Sequence, residues 1–172
     1  MPNQKPVGVA YSDPELTSGT TITGATIDST SRILSNIATG ITVGQQGATI
    51  TTTGNSDVFV IVPAAGVLTA AQFSGVDALA ANDTNYITFT ITNLGLAGAG
   101  STAMLAATDA NTTKATGGTA LAANTLRSLS LNGTAANLVV AAGDRLRIRA
   151  AATGTLANTV TFPVYRLAFT VS

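Results

Sequence analysis

Arg145, Arg147 and Arg149 are the residues through which this chain is best equipped to recognise something. They alternate with Leu146 and Ile148. A period of two places the three guanidinium groups on one face of a strand and the two aliphatic side chains on the other. Three of the chain's eight basic residues lie in this stripe. It reads as a solvated outer face paired with Asp or Glu of a neighbouring strand, as a contact for an acidic protein surface or a neighbouring subunit, or as a grip on phosphate backbone. Upstream, Leu138-Val139-Val140 and the turn Gly143-Asp144 lead into it, so the chemistry sits on a strand, turn and strand unit.

Catalytic chemistry has little to work with. Histidine and cysteine are both absent, which removes the usual general base, the commonest metal ligand, disulfides and thiolate sites. Asp57, Asp77, Asp83, Asp109 and Asp144 are isolated from one another in sequence, and most occupy turn contexts where Asp bonds to backbone. Asp109-Ala110-Asn111 and Asn82-Asp83-Thr84-Asn85 are the nearest approaches to a calcium loop, and both read as plain loops. Gly95, Gly98 and Gly100 lack the strand, helix and downstream acid of a phosphate-cradling motif. No enzyme, cofactor or metal is therefore expected.

Charge narrows the partners. Eight acidic and eight basic residues cancel, and charged residues make up 9% of the 172, against a typical ~25%. Nucleic-acid binders are normally basic, so none is expected here. No apolar run approaches the ~18 residues of a membrane helix, and the first residues lack the apolar core of a secretory signal. Asn82-Asp83-Thr84, Asn111-Thr112-Thr113 and Asn132-Gly133-Thr134 match the glycosylation pattern but read as turns. With 45% apolar residues, so weakly charged a surface suits a protein packed against neighbours.

The elements that position the stripe are strands. Residues 1–55 differ from the rest: Thr, Ser and Gly predominate, and Ile22, Ile27, Ile33, Ile37, Ile41 and Ile50 are too widely spaced to build a core. They are expected to form an extended arm lying on another surface, with a short helix possible over 28–40 and Ile22, Ile27, Ile33, Leu34 and Ile37 as contact residues. Residues 56–172 form the folded domain. Val58–Val62 is apolar throughout and reads as a strand buried on both faces. Val67–Val76 follows, then Tyr86–Asn93, with Ile87, Phe89 and Ile91 inward and Thr88, Thr90 and Thr92 outward. Weaker strands lie at Thr102–Ala107 and around Leu126, Leu129 and Leu131. Thr159–Val171 changes phase beside Pro163, where a bulge or an edge position is expected. About eight strands at this spacing predict an all-β jelly-roll or Greek-key sandwich.

Three stretches, Val62-Pro63-Ala64-Ala65-Gly66-Val67-Leu68, Thr88-Phe89-Thr90-Ile91-Thr92-Asn93 and Val140-Ala141-Ala142-Gly143-Asp144-Arg145-Leu146-Arg147-Ile148, resemble the β-sandwich decoration (cement) proteins of tailed-bacteriophage heads. The resemblance implies a homotrimer on the capsid surface of a virion, bound to the major capsid protein and bridging capsomers, with its arm reaching across neighbouring subunits. A glycan- or receptor-binding module of a tail or head fibre is the alternative. It calls for a concave, aromatic-lined site, whereas the chain has no Trp and three Tyr. A surface-layer or adhesin domain is a further alternative, disfavoured by the missing signal.

Overall fold

The computed structural model describes residues 40–171. They form nine strands: β1 (Ile41–Gln46), β2 (Asn55–Ile61), β3 (Gly66–Ser74), β4 (Tyr86–Asn93), β5 (Thr102–Ala103), β6 (Arg127–Leu129), β7 (Val139–Val140), β8 (Arg145–Thr153) and β9 (Val164–Val171). Two single 3-10 turns, Asp109–Asn111 and Ala135–Leu138, complete the elements. The first sheet runs β1-β9-β3-β6, with β7 also paired to β3, and the second runs β2-β8-β4-β5. Every pairing is antiparallel. Leaving aside the two-residue β7, successive strands alternate between sheets except for β4 and β5, which are neighbours in the second, and this is the order of a jelly roll, so the fold is the all-β sandwich expected from the strand pattern.

The core follows from alternation. From the second sheet, Val58, Val60, Ile87, Phe89, Ile91, Leu146, Ile148 and Ala150 turn inward; from the first, Leu68, Ala71, Phe73, Leu129, Tyr165, Leu167 and Phe169 meet them. Phe73 of β3 joins Phe89 of β4 at 4.7 Å and Tyr165 of β9 at 5.3 Å between ring centroids, both tilted. This aromatic cluster ties the two sheets together with more than area alone.

Four local expectations are corrected. First, residues 41–55 are not arm: β1 pairs with β9 along its length, and Ile50 is fully buried, bridged to Val160. A lone isoleucine between Thr and Gly residues lacks a visible period, so its burial depends on partners more than 100 positions away. Second, β2 is an edge strand among the described residues, with one buried face; Phe59 and Ile61 are 58% and 68% exposed. Third, β9 lies between β1 and β3 and is no edge. Its phase change is absorbed just before it, at exposed Phe162, which has a positive φ of 46°, while the register shift lies in β3 between Leu68 and Ala70. Fourth, β7 and β8 flank the Gly143-Asp144 turn but belong to opposite sheets, so the turn carries the chain across the sandwich. Gly143 has φ +86° there, and the buried Asp144 carboxylate accepts hydrogen bonds from Ala141 N–H at 2.9 Å and the Asn93 amide at 2.8 Å. The possible helix over 28–40 and the contact residues Ile22, Ile27, Ile33, Leu34 and Ile37 lie outside the described residues.

The core gives two predictions. Phe89→Ala should cost about 3–5 kcal/mol in denaturant unfolding, because neither sheet can collapse into the gap. Tyr165 is the opposite case: its buried hydroxyl lies beside the Ser56 hydroxyl but without hydrogen-bond geometry, Ser56 donating instead to Ala48 O at 2.7 Å, so Tyr165→Phe should leave stability equal or higher. Burial also pushes the Tyr165 phenol pKa up. Its contribution is present below the unfolded-state value of about 10 and fades as pH rises past it. The alkaline loss of stability should therefore be smaller in Tyr165→Phe than in the parent protein, as measured by unfolding at a series of pH values.

Candidate functional site

Because Leu146, Ile148 and Ala150 point inward, Arg145, Arg147 and Arg149 stand on the outer face of the second sheet. Their neighbours are fixed by register. Arg149 lies between Asp57 of β2 and Thr90 of β4, Arg147 between Phe59 and Thr92, and Arg145 opposite Ile61. Adjacent rungs are two residues apart, about 7 Å along the strands. Each rung thus presents a different chemistry: acid, aromatic and aliphatic.

The structure separates the three arginines. Arg149 is held side-on by Asp57, with Nε to Oδ1 at 2.7 Å and Nη2 to Oδ2 at 2.8 Å. This is the paired outer face that the alternation allowed, and the bidentate geometry is the strong form of such a contact. Hydrogen bonding from Arg149 holds the Asp57 carboxyl below its ordinary pKa. Arg147, one rung along, has no acidic partner among the described residues, and its Nε is buried without a hydrogen bond. Arg145 is exposed beside the 95–100 loop, its Nη1 lying close to Gly98.

Beside these residues the sheet's outer face opens into a cleft of about 580 Å³. Its floor is Tyr86, Thr88, Thr90 and Thr92 of β4 with Arg147 and Arg149 of β8, and its wall is the segment from Ala103 to Lys114. That segment stays in place without a helix. Met104 N–H donates to Ile91 O at 2.8 Å, Thr113 N–H donates to Ile87 O at 2.9 Å, and Ile87 N–H donates to the Thr113 hydroxyl at 2.8 Å. The edge of β4 is thereby largely paired. Buried Asn111 donates to Ala106 O and Ser130 O and accepts from Ser130 N–H. The candidate calcium-loop oxygens are spent similarly: Asn82 Oδ1 accepts from Thr84 and Asn85 N–H, Asp83 accepts from Thr116, and Asp109 pairs with Lys114 at 2.8 Å. Lys114 Nζ also sits 4.9 Å over the Tyr86 ring, covering one aromatic face in the cleft.

Arg127 is the residue that sequence reading missed. From β6 its Nη1 donates to Thr119 O at 2.9 Å, and its Nη2 donates to Ala110 O and Thr112 O at 2.8 and 2.7 Å. Its guanidinium lies 5.3 Å from the Phe89 ring centroid, and burial pushes its pKa down. A single basic residue between Leu126 and Leu129 carries no visible pattern for this role. The leucine spacing locates the strand but not the carbonyls that converge on its arginine.

Arg127→Ala should cost about 1.5–3 kcal/mol in chemical denaturation, and Lys should not restore it, since one ammonium cannot span three carbonyls. Asp57 gives a pH signature. Its depressed pKa means a contribution present above the ordinary carboxylate value of about 4 and lost as pH falls through the lower folded value. For a pair this exposed the contribution is under about 1 kcal/mol. The difference in stability between the parent protein and Asp57→Asn should shrink on acidification, and a constant difference would contradict it. Comparison with protein-family models gives no match, and comparison with curated protein sequences gives none either.

Proposed function

We propose that this protein is a structural subunit of a virion: a decoration protein on the capsid surface that bridges capsomers, binds the major capsid protein and acts as a homotrimer. The observation that carries the reading is the outer edge of β2. Among the described residues this seven-residue strand pairs in continuous register on one side only, and it contains no Lys or Pro and exposes Phe59 and Ile61 beside Arg147 and Arg145. Free soluble proteins usually blunt such an edge with charge, proline or a bulge. Aromatic, aliphatic and arginine side chains together are the composition of interface centres.

The rest of the chain supports this. Charge is too sparse to keep a large apolar surface comfortably solvated. Of the basic side chains in the described residues, Arg149, Lys114 and Arg127 are occupied by internal partners. A contact of modest area repeated by symmetry over a shell becomes a strong one. Residues 1–39 would supply the bridging arm, which retains Ile22, Ile27, Ile33, Leu34 and Ile37 as its contact residues.

Two measurements test the proposal. Sedimentation with capsids of the virus that carries the gene should show saturable binding by the full chain. Phe59→Lys with Ile61→Lys should weaken it by about 10-fold or more, in line with the loss of interface-centre residues, while leaving unfolding nearly unchanged. Removal of residues 1–39 should reduce binding further. Undiminished binding by the edge variant would remove β2 from the contact, and absence of binding by the full chain would overturn the proposal. Native mass measurement checks the trimer.

A further inference from the structure

We infer that the cleft above β4 is a binding site for a carboxylate-bearing saccharide, with Arg147 receiving the carboxylate and the Thr90 and Thr92 hydroxyls the sugar hydroxyls. The inference stands independently of the shell reading and concerns the isolated protein.

Four observations lead there. The cleft's volume, about 580 Å³, falls in the range of small-ligand sites. Its cations are not equivalent: Arg149 is engaged by Asp57 and Lys114 by Asp109, whereas Arg147 has no acidic partner among the described residues and its Nε is buried without a hydrogen bond. A half-buried guanidinium lacking a counter-charge gains most from an anion, and its planar fork matches a carboxylate.

The floor then decides the body of the ligand. β4 lies between β8 and the 102–113 segment, which pairs with it through β5 and through Met104 and Thr113. An extended peptide in the cleft would therefore find little backbone to pair with. What the floor offers is threonine hydroxyls at a two-residue interval, groups that both donate and accept as vicinal sugar hydroxyls do. Finally, Lys114 covers the Tyr86 ring, which weakens the stacking platform on which a neutral sugar would depend. Charge and hydrogen bonds remain, so the acidic sugar is favoured over its neutral counterpart.

Calorimetric titration of the full chain with a galacturonic acid trisaccharide and with sialyllactose, each alongside its methyl ester, tests this. At least one acid should bind saturably, and its ester, which keeps every hydroxyl but loses the charge, should bind about 10-fold more weakly or worse. Arg147→Gln should reproduce that loss, Arg147→Lys should recover part of it, and Arg166→Gln, on the first sheet, should leave binding unchanged. The ester comparison uses the unmodified protein and so holds even if a variant fails to fold. Absence of binding by both acids, equal affinity for acid and ester, or tighter binding of a glutamate-rich peptide than of either saccharide would each overturn the assignment.

Discussion

The sandwich depends on two apolar sheet faces being pressed together around Phe73, Phe89 and Tyr165. Once these rings meet, a period of two fixes every other side chain on their strands. Leu146, Ile148 and Ala150 must face inward, and a slip of one residue would drive three guanidinium groups into the apolar space between the sheets. The outward position of the arginine stripe is therefore a consequence of core burial. What the stripe does is decided by which residues the neighbouring strands bring beside it.

Those neighbours divide the work. Asp57 satisfies Arg149 and makes that rung a fastener between β2 and β8. The next rung faces Phe59 instead, which leaves Arg147 without an internal partner among the described residues and available to something else. The same economy of charge is seen at the cleft wall, where Lys114 and Asp109 pair and Arg127 gathers three carbonyls. With so few charged residues in the chain, each internal pairing leaves one fewer uncompensated charge on the surface. The surface that remains is nearly neutral, bears exposed Phe59, Ile61 and Phe162, and suits contact more than isolation.

The wall itself shows how irregular chain is made rigid. From Thr102 to Lys114 the regular structure is a two-residue strand, isolated bridges at Leu105 and Thr112, and a single 3-10 turn. Its backbone groups are nonetheless widely paired, through β4 on one side and through Asn111 and Arg127 on the other. Buried polar groups satisfied in this way hold one conformation, whereas a half-satisfied set would not. The cleft owes its shape to these side chains more than to the sheets.

The sequence by itself determined the strands whose alternation is uninterrupted, and which of their faces turn inward. Tyr86–Asn93 is legible because Ile, Phe and Ile alternate with Thr without interruption, and Arg145–Arg149 because aliphatic and basic residues alternate so sharply. Those patterns rest on local periodicity, which a single strand carries within itself. Tertiary structure alone decided the rest. Val58–Val62 looks buried on both sides, yet β2 is an edge because nothing among the described residues pairs with its outer side; a strand's place in a sheet is a property of its partners. Ile50 has no local pattern and is buried by Val160. Arg147, Arg149 and Arg127 are the same residue type, and only contacts 8 to 92 positions distant in sequence make Arg149 a fastener and Arg127 a clamp while Arg147 has no acidic partner among the described residues. Periodicity is local and survives in the sequence; pairing is non-local, and appears only when the chain is closed on itself.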